Sequence, residues 1–63
     1  MDSEILKTIA GDVEEVNSKI EEAQDLISAL KEAGEETAQL EGDLRLLIVR
    51  KNKWETMLHA RGL

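Results

Sequence analysis

The sequence has no cysteine, proline, tyrosine or phenylalanine, and its 63 residues include one tryptophan and one histidine. Without cysteine, the chain has no disulfide framework, no thiolate zinc site and no thiol nucleophile. An aromatic content of 2% is low for a self-sufficient globular core, because aromatic side chains contribute the largest buried areas. A chain this short forms one domain at most and buries only about 60% of its unfolded surface, so it is marginal as a monomer.

Long apolar runs and targeting signals are also missing. The longest uninterrupted apolar run, residues 46–49, is far shorter than the roughly 20 residues that span a bilayer. Met1 is followed by the acidic Asp2, the reverse of the basic region that opens a secretory signal peptide. We therefore expect a soluble intracellular protein, either cytoplasmic or nuclear.

The residues needed for catalysis are scarce. His59 is the only imidazole, and the four glycines are too scattered to form a phosphate-binding loop. Adjacent carboxylates such as those at 14–15 and 21–22 diverge around a helix and do not form an acid–base pair. We expect no enzymatic activity, no catalytic residue, no cofactor and no metal site.

The first half of the chain carries a heptad pattern of apolar residues, at alternating spacings of three and four, which is typical of a coiled-coil seam. The set is Leu6, Ile9, Val13, Val16, Ile20, Ala23, Ile27 and Leu30. This pattern predicts a helix over about 3–33, with Asp2 or Ser3 as its cap. Gly11 is expected to be a weak point near the start of that helix.

The pattern breaks at Gly34 and resumes in a shifted phase. The resumed seam is Thr37, Leu40, Leu44, Leu47, Lys51, Trp54 and Leu58. One explanation is a turn at about 34–36 followed by a second helix at about 37–61, which makes a helical hairpin. The other is one long helix with a three-residue stammer near Gly34. Gly34 suits the position just after a helix and Thr37 suits an N-cap, which favours the turn.

The charge distribution favours an antiparallel arrangement. Residues 1–43 have a net charge of −10, whereas residues 44–63 have a net charge of +4. A parallel bundle would place like charges together, and an antiparallel one lays the basic helix along the acidic helix. Such surface pairs select an orientation without driving association, because each contributes only tenths of a kcal/mol.

The second helix has more apolar surface than one seam requires, which predicts self-association. We therefore expect residues 1–63 to form a single all-α, antiparallel coiled-coil domain that assembles into a four-helix or larger bundle. Its function would be oligomerisation or scaffolding, as a homo-oligomer (dimer or tetramer) that holds together a larger protein or complex. The predicted interface consists of Leu6, Ile9, Val13, Val16, Ile20, Ile27, Leu30, Leu40, Leu44, Leu47, Ile48, Trp54 and Leu58.

Two other functions stay open. The chain could be one subunit of a hetero-oligomeric scaffold, in which a second helical protein meets its excess negative charge. Alternatively, its basic amphipathic C-terminal helix could dock on a membrane, on calmodulin or on a nucleic acid. The candidate basic surface is Arg45, Arg50, Lys53 and Arg61. An overall pI near 4.6 argues against membrane or nucleic-acid contact by this segment alone.

Overall fold

A computed structural model of the chain describes residues 3–63. Within that range the chain forms two helices, α1 (Ser3–Glu32) and α2 (Ala38–Ala60), and no strand. The two helices pack against each other and form an elongated unit with Cα extents of 48 × 15 × 12 Å. The predicted all-helical hairpin is therefore confirmed, and the continuous helix with a stammer is not the arrangement found.

Helix α1 continues without interruption through Gly11, so this residue does not break the helix. Gly11 is exposed, and a Cβ placed there would meet nothing within 4 Å. The apolar heptad of α1 is strong enough to carry the helix across one residue of poor helix propensity, because packing of an amphipathic face outweighs propensity. The cap predicted at Asp2 lies outside the described residues.

The turn after α1 is a Schellman motif centred on Gly34. The Gly34 N–H donates to the carbonyl of Lys31 at 2.9 Å, and the Glu35 N–H donates to the carbonyl of Leu30 at 2.9 Å. Gly34 has a φ of +81°, a left-handed conformation that costs an L-residue with a side chain roughly 1–2 kcal/mol. The glycine therefore allows the last carbonyls of α1 to be satisfied while the chain reverses.

Helix α2 ends in the same motif, around Gly62. This glycine has a φ of +86°, and its N–H donates to the carbonyl of His59 at 3.0 Å. The Leu63 N–H donates to the carbonyl of Leu58 at 2.9 Å. Both helices are thus terminated by glycines whose positive φ stops the helix and satisfies its orphan carbonyls.

Helix α2 begins at a buried threonine. Thr37 is 4% exposed and occupies the N-cap position, but its side chain makes no capping hydrogen bond. The Glu36 carboxylate instead accepts a hydrogen bond from the Ala38 N–H at 2.7 Å, and the Thr37 hydroxyl donates to Glu41 at 2.8 Å. The predicted N-cap position is therefore correct, although a neighbouring carboxylate provides the capping contact.

The hairpin has a small core. Among residues 3–63, the buried apolar side chains are Leu6, Ile20 and Leu58. The Cα radius of gyration is 14.7 Å, whereas a compact chain of this length would have roughly 11 Å. An elongated two-helix unit with so few buried side chains has little hydrophobic stabilisation to set against the entropy of ordering the chain.

Candidate oligomer interface

The two helices meet along a seam that follows heptad spacing in both. On α1 the seam is the predicted set, every member of which is buried or half-buried. On α2 the buried and half-buried positions at the seam are Thr37, Glu41, Leu44, Ile48, Lys51, Glu55 and Leu58. This α2 seam differs from the predicted one, because Glu41, Ile48 and Glu55 take the places expected for Leu40, Leu47 and Trp54.

Polar contacts close one side of the seam. The Lys31 ammonium lies 2.6 Å from the Glu41 carboxylate, and the Asn17 amide donates to Glu55 over a long 3.4 Å. Glu55 also pairs with Lys51 on its own helix at 3.0 Å. Long side chains at the rim of a seam can bury their stems while their charged tips reach each other, which explains how glutamates replace apolar residues there.

These contacts lower the pKa of both glutamates. The hydrogen bond from the Lys31 ammonium lowers the pKa of Glu41 most, and the Thr37 hydroxyl adds to the effect. The Lys51 ammonium lowers the pKa of Glu55 in the same way, against a smaller opposing effect of desolvation. Each interaction stabilises the ionised carboxylate, so both pairs are present at neutral pH.

The ion pair across the seam has the opposite sense to the one expected from net charge. The sequence predicts that cations of α2 neutralise acids of α1, but Lys31 belongs to α1 and Glu41 belongs to α2. Lys51, at the centre of α2, pairs within its own helix. Antiparallel packing is therefore accompanied by an ion pair near the turn in which α1 supplies the cation and α2 the carboxylate.

The other side of the seam is an open apolar groove between the helices. Trp54 and Glu55 show how the two sides differ, since consecutive residues point about 100° apart around a helix. Glu55 therefore faces the polar side and Trp54 faces the groove. The apolar groove is lined by Ile9, Asp12, Val13, Val16, Leu47, Arg50, Lys51 and Trp54.

A row of large apolar side chains borders this groove on α2. Leu40, Leu47 and Trp54 are 46%, 39% and 50% exposed, and we call them the exposed ridge. Residues seven apart in a helix lie almost directly above one another, about 10.5 Å apart, so the exposed ridge runs along the helix axis. On α1, Ile5 and Leu26 share the heptad row of the groove residue Asp12, and they are 54% and 56% exposed. The groove side is therefore apolar at its centre, while its outer row on α1 combines the apolar Ile5 and Leu26 with the charged Asp12 and Lys19.

The predicted interface residues separate into two groups. Those at the seam between the helices are buried or half-buried: Leu6, Ile9, Val13, Val16, Ile20, Ile27, Leu30, Leu44, Ile48 and Leu58. The other three form the exposed ridge. The heptad pattern does not identify Asn17, Glu41 and Glu55 as seam residues, although the Lys51–Glu55 spacing of four is a recognisable signal for an ion pair within a helix.

The predicted basic residues Arg45, Arg50, Lys53 and Arg61 are all exposed. They do not form a single stripe, because Arg45 and Arg50 are five residues apart and therefore about 140° apart around α2. Arg50 borders the apolar groove. These cations are distributed over the outer half of the helix.

Neither α1 nor α2 has a stretch long and apolar enough to cross a bilayer. Within residues 3–63, no group of three histidine, aspartate or glutamate side chains is arranged to hold a metal ion. Comparison with protein-family models, with curated proteins and with solved structures finds no match to this chain.

Proposed function

We propose that this chain is a self-associating scaffold module, in which two hairpins pack their groove sides together to make a four-helix bundle. The observation that carries the proposal is the exposed ridge beside the apolar groove. Fully burying a leucine is worth about 1.5–3 kcal/mol, so three large side chains left about half in water provide a substantial driving force for association.

The size of the groove side supports a second hairpin as the occupant. Cα extents of 48 × 15 × 12 Å give the broad face a projected area of about 700 Å². A standard protein–protein interface buries roughly 600–1,000 Å² per partner, so coverage of most of this face by a second hairpin makes an interface of standard size. The small core of the single hairpin also favours association, because a second copy buries apolar surface that one hairpin leaves exposed.

Trp54 reports on this association directly, because it is the only tryptophan and lies on the exposed ridge. We expect its emission to shift to shorter wavelength as concentration rises and the indole leaves water. The Leu47→Glu variant should keep the long-wavelength emission of the dilute chain at every concentration. Wild-type emission that does not change between low-micromolar and near-millimolar concentration would contradict self-association through the ridge.

A second candidate function is docking of basic α2 on an anionic partner, and the exposed Arg45, Arg50, Lys53 and Arg61 favour it. Anionic vesicles, calcium-loaded calmodulin or duplex DNA should then blue-shift or quench Trp54 when added to the chain. A lack of response to all three would remove this candidate.

The hetero-oligomer is a third candidate, motivated by the net charge of −10 over residues 1–43. It predicts a poorly helical monomer until the partner is added.

A further inference from the structure

The exposed ridge has an internal symmetry that bears on how two copies would meet. Leu47 is at its centre, and Leu40 and Trp54 lie seven residues to either side. If a second α2 runs antiparallel and crosses at Leu47, then Leu40 of each copy lies opposite Trp54 of the other. Each end of the contact then pairs a leucine with the larger tryptophan, which fills space evenly. A parallel arrangement instead places Trp54 against Trp54 and Leu40 against Leu40.

The charges that flank the ridge have the same symmetry. Asp43 and Arg50 are both exposed, four residues before and three residues after Leu47. They lie on the same edge of the ridge, since they are seven residues apart. An antiparallel crossing at Leu47 brings Asp43 of one copy next to Arg50 of the other, and it does so twice. A parallel crossing places the corresponding residues of the two copies on opposite edges of the contact, so neither Asp43–Arg50 pair can form.

The charge around the turn favours the same orientation. Residues 32–43, which form the turn and its flanks, contain five acidic residues and no basic one. A parallel dimer would place two such acidic turns side by side. In an antiparallel dimer, each turn instead lies near Lys53 and Arg61 of the other copy, at the basic end of α2. Opposite charges across an interface fix its orientation even where they contribute little affinity.

We propose that two copies of this chain form a twofold-symmetric dimer in which the two α2 helices run antiparallel and the axis passes between the two Leu47 side chains, with Leu40 packed on Trp54 and Asp43 paired with Arg50 between copies. This inference rests on the proposed self-association and specifies its geometry. The contact is isologous, because the same surface is used by both copies, and it closes at two.

Charge reversal tests the paired residues. Asp43→Arg or Arg50→Asp alone should raise the dissociation constant about 10-fold at low salt, because each replaces two attractive pairs by two repulsive ones. The double variant Asp43→Arg/Arg50→Asp should return to within about threefold of wild type, since the pairs re-form with exchanged partners. If the double variant is as weak as the singles, or the singles match wild type, the proposed pairing is wrong.

Single cysteines test the orientation, because the natural chain has none that could interfere. Leu47→Cys should form a disulfide-linked dimer under oxidising conditions. Leu40→Cys and Trp54→Cys should each stay uncross-linked alone, since identical positions lie about 20 Å apart in the antiparallel dimer. A mixture of these two variants should cross-link, as Leu40 of one copy faces Trp54 of the other.

The outcomes separate failure of the geometry from failure of the proposed function. Cross-linking of Leu40→Cys alone, or of Trp54→Cys alone, would show a parallel dimer and overturn the inference. A wild-type chain that sediments as a dimer while no variant cross-links would also overturn it, because another surface would then form the contact. A wild-type chain that sediments as a monomer would overturn the proposed self-association itself.

Discussion

Replacing Leu47 with glutamate should dissociate the dimer, because this residue lies at the centre of the exposed ridge and borders the apolar groove. In a twofold contact each substitution acts twice. The variant also brings two carboxylates close together at the axis. The effect should therefore be larger than that of the same change at a position away from the ridge.

The size of the effect follows from the exposure of the side chain. Leu47 is 39% exposed in the hairpin. Covering this exposed part on dimerisation is worth about 1 kcal/mol per copy and about 2 kcal/mol per dimer. Burying an unpaired polar group costs about 1–3 kcal/mol more for each carboxylate. The total is about 4 kcal/mol or more, which corresponds to a weakening of the dissociation constant of about 1000-fold. Leu47→Ala removes only apolar area and should weaken it by about 30-fold.

Sedimentation velocity at several concentrations measures the dissociation constants of Leu47→Glu and Leu47→Ala and compares them with that of a matched control. Leu46→Glu makes the same substitution at the neighbouring position, which is 66% exposed and lies about 100° further around α2. This control should dimerise like the wild type. If Leu46→Glu and Leu47→Glu weaken the dimer equally, or Leu47→Glu has the wild-type mass, the ridge is not the interface and the reasoning is refuted.

Three further predictions concern the hairpin itself and are measured by urea unfolding at fixed chain concentration. Gly11→Ala should stabilise the protein by about 1 kcal/mol, because the site is helical and a Cβ there meets nothing within 4 Å; an unchanged midpoint would argue against an uninterrupted α1. Gly34→Ala should destabilise it by about 1–2 kcal/mol, since φ is +81° at that position, and equal stability would mean that the turn takes another conformation. Glu41→Gln should destabilise it at neutral pH. The pKa of Glu41 is lowered in the folded state, so this difference from wild type is present above the ordinary value of 4.5 and is lost as pH falls through the lower folded-state pKa. A difference that persists at low pH would assign the effect to something other than the Lys31 ion pair.

The hairpin could be predicted from the sequence because its signals are local. A heptad of apolar residues specifies one face of α1, and Gly34 followed by Thr37 identifies the end of one helix and the start of the next. The same reasoning could have identified Gly62, which ends α2 by the same motif as Gly34. The glycines specify a backbone conformation, and the heptad specifies one face of α1. Neither feature depends on which helix packs against it.

The seam of α2 could not be predicted in the same way. Leu40, Leu47 and Trp54 form the most apolar row, so the periodicity places them at the contact. In the hairpin, Glu41, Ile48 and Glu55 are half-buried, whereas Leu40, Leu47 and Trp54 are exposed. Lys31 and Asn17, both on α1, provide partners for the two carboxylates. This depends on the rotation of one helix against the other. Since most residues of α2 between 40 and 49 are apolar, periodicity alone does not determine that rotation.

Sedimentation equilibrium on the purified chain, over a wide concentration range, tests self-association most directly. We expect a mass that rises from 7.0 kDa at low concentration to a plateau at twice that value. A mass of 7.0 kDa that stays constant up to near-millimolar concentration would contradict it, because the exposed ridge would then remain in water with no second copy to cover it.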